Sequence, residues 1–289
     1  MATGIFRAVG WIGLGKMGLP ICGRLKAAGL PVTVLARNQD GAAKAEKEGF
    51  PTCGSLDKLA TSEVIFSAVP DDAALLGLMT DGFLAALRPA HVFIDISTVS
   101  PEASAKVARK LAPTGAAYLR VPVSGSTTHA AAGQLTAMAS GPRSAFDDVQ
   151  PVLTAFCARQ FYLGADDQAR YLKLAINSIL AANSALIAEA LAIGEAGGLH
   201  RSDMLEVMTQ SAIATPLLGY KKNSLIKGEY PAAFSVSQIM KDLDLVLEVA
   251  RADHISIPVN AIVRQRFEQA YVEGLGDDDF FCLSGAPKI

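Results

Sequence analysis

The chain has 289 residues, enough for one large domain or two ordinary ones, and 51% of them are hydrophobic, enough for a sizeable core. The formal net charge is −2, with both signs spread along the chain, which argues against nucleic acid or an anionic membrane as the main partner. Four cysteines, Cys22, Cys53, Cys157 and Cys282, stand far apart with no C-x-x-C pair and read as reduced, mostly buried thiols of a cytoplasmic protein. No basic segment followed by an apolar run opens the sequence, so no signal peptide is expected.

The first half alternates between strand-like and helix-like stretches. Apolar strand candidates are "AVGWIG", "VTVLA", "VIFSAV", "HVFIDIS", "AYLRVPV", "LTAMAS" and "QFYLG". Helical stretches such as 19–28, 41–48 and 102–111 lie between them. Near-continuous apolar strands separated by helices predict a parallel sheet covered on both faces. Ser100 can cap the helix that follows it, Pro101 suits the first helical position, and Pro113 and Gly115 follow the end.

Beyond about residue 165 the strand signal vanishes. Helical patterns run over 167–196, 202–210, 216–227, 236–252 and 258–273, and Gly197-Gly198 stops the first of these. The apolar run from Tyr171 to Leu199 is interrupted by Lys173, Asn177, Asn183, Glu189 and Glu195, whereas a membrane span needs about 20 mostly apolar residues, so it is expected as a buried helix of a soluble protein. The predicted fold is α/β: a parallel-sheet domain over 1–164, then a long connecting helix (167–196) and an all-α C-terminal domain over 165–289.

The stretch "WIGLGKMGLP" has the G-x-G-x-x-G spacing, with Gly13, Gly15 and Gly18 on the first strand–turn–helix. That context makes it a dinucleotide loop rather than a chance run of glycines. Gly13 allows the tight turn, Gly15 lets backbone approach a pyrophosphate, and Gly18 lets the helix pack closely on the strand. Leu14, Lys16 and Met17 complete the loop, and the helix N-terminus behind it favours an anion.

An NAD site usually carries Asp or Glu at the end of the second strand. Here that end reads Ala36-Arg37, and Asp40 falls too late and is expected to cap the next helix. Arg37 can pair with a 2′-phosphate, so NADP(H) is favoured over NAD(H); the competing reading is a solvated surface arginine.

Ligands of open α/β sheets bind beyond the strands' carboxyl ends, here "AVPDD" (68–72), "DISTVSP" (95–101) and "VPVSGSTTHAAAGQ" (121–134). In the last, Ser124, Ser126, Thr127, Thr128 and the loop amides could hold a carboxylate, or the segment could be an ordinary polar connection. His129 could touch substrate, although a lone loop histidine is more often structural. Lys173 and Asn177 are four residues apart, about 6 Å along a helix axis, on one face. A buried lysine loses ammonium stability and suits proton transfer; a snorkelling lysine would put its tip in water. Lys241 and Asp242 form a further charged pair, functional or merely a first-turn pair on a solvated helix.

Taken together, "GLGKMG", "DISTVSP" with "VPVSG", "GADDQARYLKLAIN" and "KDL" resemble, in order and over nearly the whole chain, the β-hydroxyacid dehydrogenases. That group includes 3-hydroxyisobutyrate dehydrogenase, tartronate semialdehyde reductase and the glyoxylate/succinic semialdehyde reductases. The resemblance implies a Rossmann-type doubly wound parallel sheet joined through the long interdomain helix to the all-α C-terminal domain, and an oxidoreductase acting on a CH–OH group, without a metal, on a small anionic substrate, and assembled as a homodimer or homotetramer. It further implies that Val69, Pro70 and Thr98 line the nicotinamide side. Ser124, Gly125 and Ser126 would hold the substrate carboxylate, and Lys173 would act as acid/base beside Asn177. Lys241 would approach the cofactor and Asp242 the substrate.

Two positions depart from the family: Ser126 stands where a second glycine is usual, and Ser178 where a second asparagine is usual. Both would alter the substrate pocket. Other readings are an imine reductase or a decarboxylating dehydrogenase of the same superfamily, and a catalytically silent dinucleotide-binding module.

Overall fold

The computed structural model describes residues 8–36 and 38–285. The chain divides into two compact units, one up to Lys173 and one from Leu174 onward.

In the first unit, six described strands form one parallel sheet: β1 (Val9–Ile12), β2 (Val32–Leu35), β3 (Thr52–Cys53), β4 (Val64–Ser67), β5 (Val92–Asp95) and β6 (Ala117–Arg120), in the order β3-β2-β1-β4-β5-β6. The order reverses at β1, which pairs with both β2 and β4, so the glycine loop leaves the sheet at its switch point. Alternate residues enter opposite cores, as the two-residue period of a strand requires. Val64 and Phe66 join one apolar cluster with Trp11 and Ile21, and Ile65 joins another with Phe93 and Leu75. Burial on both faces is why the strands read as continuous apolar runs.

The last strands depart from the expected single sheet. β7 (Val123–Ser124), β8 (Leu135–Ala139) and β9 (Cys157–Tyr162) form a separate three-stranded sheet, with β7 antiparallel and β9 parallel to β8. β7 and β8 are joined through a short helix, Thr127–Ala132, rather than a full crossover, so they pair antiparallel. Ser100 accepts from the Ala103 amide at 3.0 Å and caps the helix Pro101–Leu111 as expected.

The second unit contains the helices Arg201–Met208, Pro216–Lys227, Val236–Ala252 and Pro258–Ala270, close to the expected spans. The long helix is Gln168–Ala196, and the division between the units falls within it. It is not the buried helix expected from composition. Ala181, Ala185, Ala188 and Leu191 enter the second unit's core, while Ile179, Leu186 and Ile193 are 60%, 59% and 75% exposed. The helix is long and apolar enough to cross a membrane by length and composition alone. Its exposed apolar residues recur every seven positions, so they form a stripe along one face, which a count of apolar residues does not resolve.

Candidate functional site

The glycine loop separates two demands. Gly13 has φ +96°, and a Cβ there would lie 2.1 Å from the Ala68 carbonyl oxygen. A Cβ at Gly18 would lie 2.0 Å from the Gly13 carbonyl oxygen, which already accepts the Trp11 indole N–H at 3.0 Å. The chain's own packing therefore requires both glycines. At Gly15 an added Cβ would meet nothing within 4 Å. No atom of the described residues explains that glycine, and the open space is where a pyrophosphate would approach the backbone. The helix Gly18–Ala27 behind it has no acidic residue in its first turn, and the Lys44 ammonium donates to the Leu14 carbonyl at 2.6 Å. The loop thus fits a dinucleotide, with the helix dipole and one lysine favouring its phosphates.

Arg37 lies outside the described residues. The neighbouring helix Gln39–Lys47 is capped by Asn38, whose side-chain oxygen accepts from the Gly41 amide at 2.8 Å. Asp40, the expected cap, sits inside the first turn instead. Asn serves as a cap as well as Asp does, and its position one residue before the helix settles which of the two caps it.

The ends of β4 and β5 are joined by a buried polar chain. The Val69 amide donates to Ser97 Oγ at 2.9 Å, and Ser97 Oγ donates to Asp95 Oδ1 at 2.6 Å. Ser67 Oγ donates to the same oxygen at 2.6 Å. Asp95 Oδ2 pairs with Arg170 Nη2 at 2.5 Å, and both side chains are sealed from solvent. Arg170 Nη1 donates to the Ser97 carbonyl at 2.7 Å, and Nη2 also to Tyr118 Oη at 3.1 Å. Burial pushes the Tyr118 hydroxyl's pKa up, against the pull of the Arg170 charge. Beyond this cluster, Asp72 accepts from the Ser100 amide at 2.8 Å and from its hydroxyl at 2.5 Å, so the two loops are tied a second time. Val69 is buried, Pro70 exposed and Thr98 half-buried, on the segments this scaffold fixes. Sequence reasoning missed Asp95 and Arg170. The signal was an acid at the end of the apolar strand "HVFIDIS", which burial obliges to find a cation.

In the loop after β7, Gly125 has φ +131° and Ser124 is half-buried. The Ser126 amide donates to His129 Nδ1 at 3.3 Å, and Ser126 Oγ lies 2.8 Å from that nitrogen and 2.6 Å from Thr128 Oγ1. Ser126 and His129 therefore hold each other as the loop turns into its helix. The Ser126 amide, expected to face an anion, is committed inside the loop.

On the long helix Lys173 is half-buried rather than sealed, so desolvation alone does not single it out. Asn177, one turn further, is 2% exposed. Its amide nitrogen donates to Asp242 Oδ2 at 2.5 Å, and its Oδ1 is buried without a hydrogen-bond partner among the described residues. Asp242 is 1% exposed, which rules out a solvated surface pair. Its Oδ1 lies 2.8 Å from Lys241 Nζ without hydrogen-bond alignment. Lys241 and Asp242 stand inside the helix Val236–Ala252, past its first turn. Ser178 donates its hydroxyl to the Ala175 carbonyl at 2.8 Å, so the position of the missing second asparagine is turned back onto its own helix.

Residues 8–164 match the NAD binding domain of 6-phosphogluconate dehydrogenase, and residues 168–284 match the family described as NAD-binding of NADP-dependent 3-hydroxyisobutyrate dehydrogenase. The chain belongs to the β-hydroxyacid dehydrogenase family. It is an NAD(P)-dependent oxidoreductase acting on a CH–OH group. Family members similar to it include 2-(hydroxymethyl)glutarate dehydrogenase of Eubacterium barkeri, 31% identical over 94% of this chain and 91% of that one. Glyoxylate/succinic semialdehyde reductase 1 of Arabidopsis thaliana is 30% identical, over 97% and 98%. Among solved structures, 3-hydroxyisobutyrate dehydrogenase of Mycobacterium tuberculosis with L-serine is 25% identical, with a TM-score of 0.88 over 97% of this chain and 99% of that one. Among the described residues no group of three His, Cys, Asp or Glu is placed to hold a metal.

Proposed function

We propose that this dehydrogenase prefers NADP(H) and interconverts a short β-hydroxy acid and its semialdehyde, with Lys173 as the proton donor and acceptor. The observation that carries the substrate side is the Asn177 amide. Asp242 fixes its nitrogen, so its orphaned, buried Oδ1 points an acceptor at whatever donates next. A buried acceptor left unpaired costs about 1–3 kcal/mol, and a substrate hydroxyl is a donor that removes this cost.

The dinucleotide supplies or accepts the hydride when bound at Gly13, Leu14, Gly15, Lys16, Met17 and Gly18. In reduction the Lys173 ammonium gives its proton to the forming alkoxide; in oxidation the neutral amine takes it from the hydroxyl. Ser124 and Gly125 are the groups for the substrate's carboxylate. Ser126 and His129, locked together, shape the loop that carries these two groups. Preference for NADP is supported by the Ala36-Arg37-Asn38 sequence, which offers no acid to a ribose hydroxyl, and by Lys44 beside the loop.

The exposed stripe Ile179, Leu186 and Ile193 supports a homodimer or homotetramer. Only one face of that helix is apolar and outward; the other packs into the second unit, which suits a second copy better than surrounding lipid. Four unpaired cysteines and a balanced charge support a cytoplasmic enzyme with neither nucleic acid nor membrane as partner.

The test is a screen of glyoxylate, succinic semialdehyde, tartronate semialdehyde, 3-hydroxyisobutyrate, L-serine and sulfonated analogues with both cofactors. The expected result is turnover of at least one of them with kcat/KM higher for NADP(H), and loss of turnover in Lys173→Ala with NADPH binding intact. No turnover of any compound, or near-wild-type turnover in Lys173→Ala, overturns the reading.

A further inference from the structure

A fully buried arginine needs a reason, and Arg170 is buried three residues before the lysine proposed as acid/base. Its guanidinium is engaged on both arms: Nη1 on the Ser97 carbonyl, Nη2 on Asp95 Oδ2 and Tyr118 Oη, with Nε 3.4 Å from Ser104 Oγ. The first turn of the long helix is thereby riveted to the segment that carries Thr98. Asp95 passes the constraint on, because its second oxygen accepts Ser97 Oγ, which in turn accepts the Val69 amide. One chain of hydrogen bonds therefore runs from the Val69 backbone through Ser97, Asp95 and Arg170 to the turn that bears Lys173.

We propose that Arg170 is a positioning residue: together with Asp95 it sets the placement of the Lys173 amine relative to the backbone of Val69 and Thr98. This rests on the reading of Lys173 as acid/base. A planar fork held at three points fixes direction as well as distance, which a lysine at 170 could not do. Proton transfer depends on heavy-atom geometry at the level of tenths of an ångström, and misplacement by about 1 Å costs on the order of a hundredfold in rate. The chain acts on the acid/base and on the segments flanking the reacting ring, so its loss should lower kcat and leave the substrate's KM nearly alone.

Arg170→Lys retains the charge and loses the fork. The enzyme is assayed with NADPH and with glyoxylate or succinic semialdehyde, whichever the wild type reduces faster, and rates are divided by the concentration of NADPH-binding sites. Expected are a kcat lower by about 30- to 100-fold, a KM within threefold, and amide exchange at Val69 faster by tenfold or more. A merely structural role would lower the number of binding sites and the melting temperature and leave kcat per site unchanged; that result overturns the proposal.

If Arg170→Lys does not fold, Ser97→Ala takes its place, since it cuts the chain at its middle and leaves the ion pair intact. Wild-type kcat and Val69 exchange in Ser97→Ala reject the positioning chain. Lys173→Ala, run beside them, keeps two failures apart. Turnover surviving in Lys173→Ala defeats the acid/base reading itself. Turnover lost in Lys173→Ala but unchanged in Arg170→Lys defeats only the positioning role.

Discussion

The two units each bury a polar cluster on or beside the long helix, and the clusters are built in opposite ways. In the first, Asp95 receives Ser67, Ser97 and Arg170, and Arg170 in turn satisfies the Ser97 carbonyl and Tyr118. In the second, Asn177 donates to Asp242 and Asp242 Oδ1 keeps its ion pair with Lys241 at 2.8 Å, while Asn177 Oδ1 has no hydrogen bond among the described residues. A saturated network is a scaffold, because nothing more can bind to it without breaking it. A half-satisfied one persists in a folded protein when a ligand supplies the missing donor. On the proposed function, the difference separates residues that only hold structure from residues that would meet a ligand.

The sharpest way to break this contrast is to remove one partner from each cluster. Asp95→Ala leaves the Arg170 charge buried and unpaired, so it should destabilise the protein by about 3–5 kcal/mol. Calorimetry should show this as a melting temperature lower by roughly 10 °C. Asp242→Asn keeps the shape of its side chain and loses the ion pair with the partly exposed Lys241, so the melting temperature should fall by no more than a few degrees. On the proposed role of Asn177, kcat/KM should nevertheless fall about a hundredfold, as should that of Asn177→Ala, since the first change lets the Asn177 amide turn over and the second removes its acceptor. The double variant should be little worse than either single one, because the two act as a unit. Asp242→Asn melting roughly 10 °C low with full activity would invert the assignment.

A smaller effect sharpens the same distinction within the glycine loop. Gly15→Ala adds a methyl group where nothing stands within 4 Å, so the protein should melt within a few degrees of the wild type. NADPH affinity, read by fluorescence titration, should fall at least tenfold, about 1.4 kcal/mol. Gly18→Ala, whose methyl group would lie 2.0 Å from the Gly13 oxygen, should instead lose stability. Equal melting temperatures for the two variants would show that Gly15 is held by packing after all.

The fold is legible in the sequence wherever one period runs long enough to register. The parallel strands stand out because both faces are buried, and the helices of the second half because their caps and stops are local. β3 and β7, two residues each, carry no period of their own: β3 leaves no trace, and β7 is read only as the tail of "AYLRVPV". Composition predicts a buried long helix because apolar content does not say which face looks outward. For the site, Gly13, Gly15, Gly18, Lys173 and Asn177 are visible as spacings along one element. Arg170 and Asp95 are 75 residues apart and meet only through the fold. An acid ending an apolar strand hints that a partner exists, but nothing local can name it. The pairing of Asn177 with Asp242 is hidden for the same reason.

The smallest effect compares the thiols of the two units. Cys157 in the first and Cys282 in the second are both buried, and burial pushes each thiol up to about 12. In the unfolded chain both would ionise near the ordinary thiol value, about 8.5. Between these values the unfolded state has released protons that the native state still holds. Native stability is therefore unaffected by these groups below about pH 8, and each lowers it by up to about 1.4 kcal/mol per pH unit above about pH 9. Cys157→Ala and Cys282→Ala should each flatten the fall of melting temperature between about pH 9 and pH 10.5 by a similar amount. Because each thiol sits in a different unit, the two substitutions should act independently and add when combined. A flattening seen in one variant alone would mean that one unit governs unfolding at alkaline pH, and that the other melts only after it.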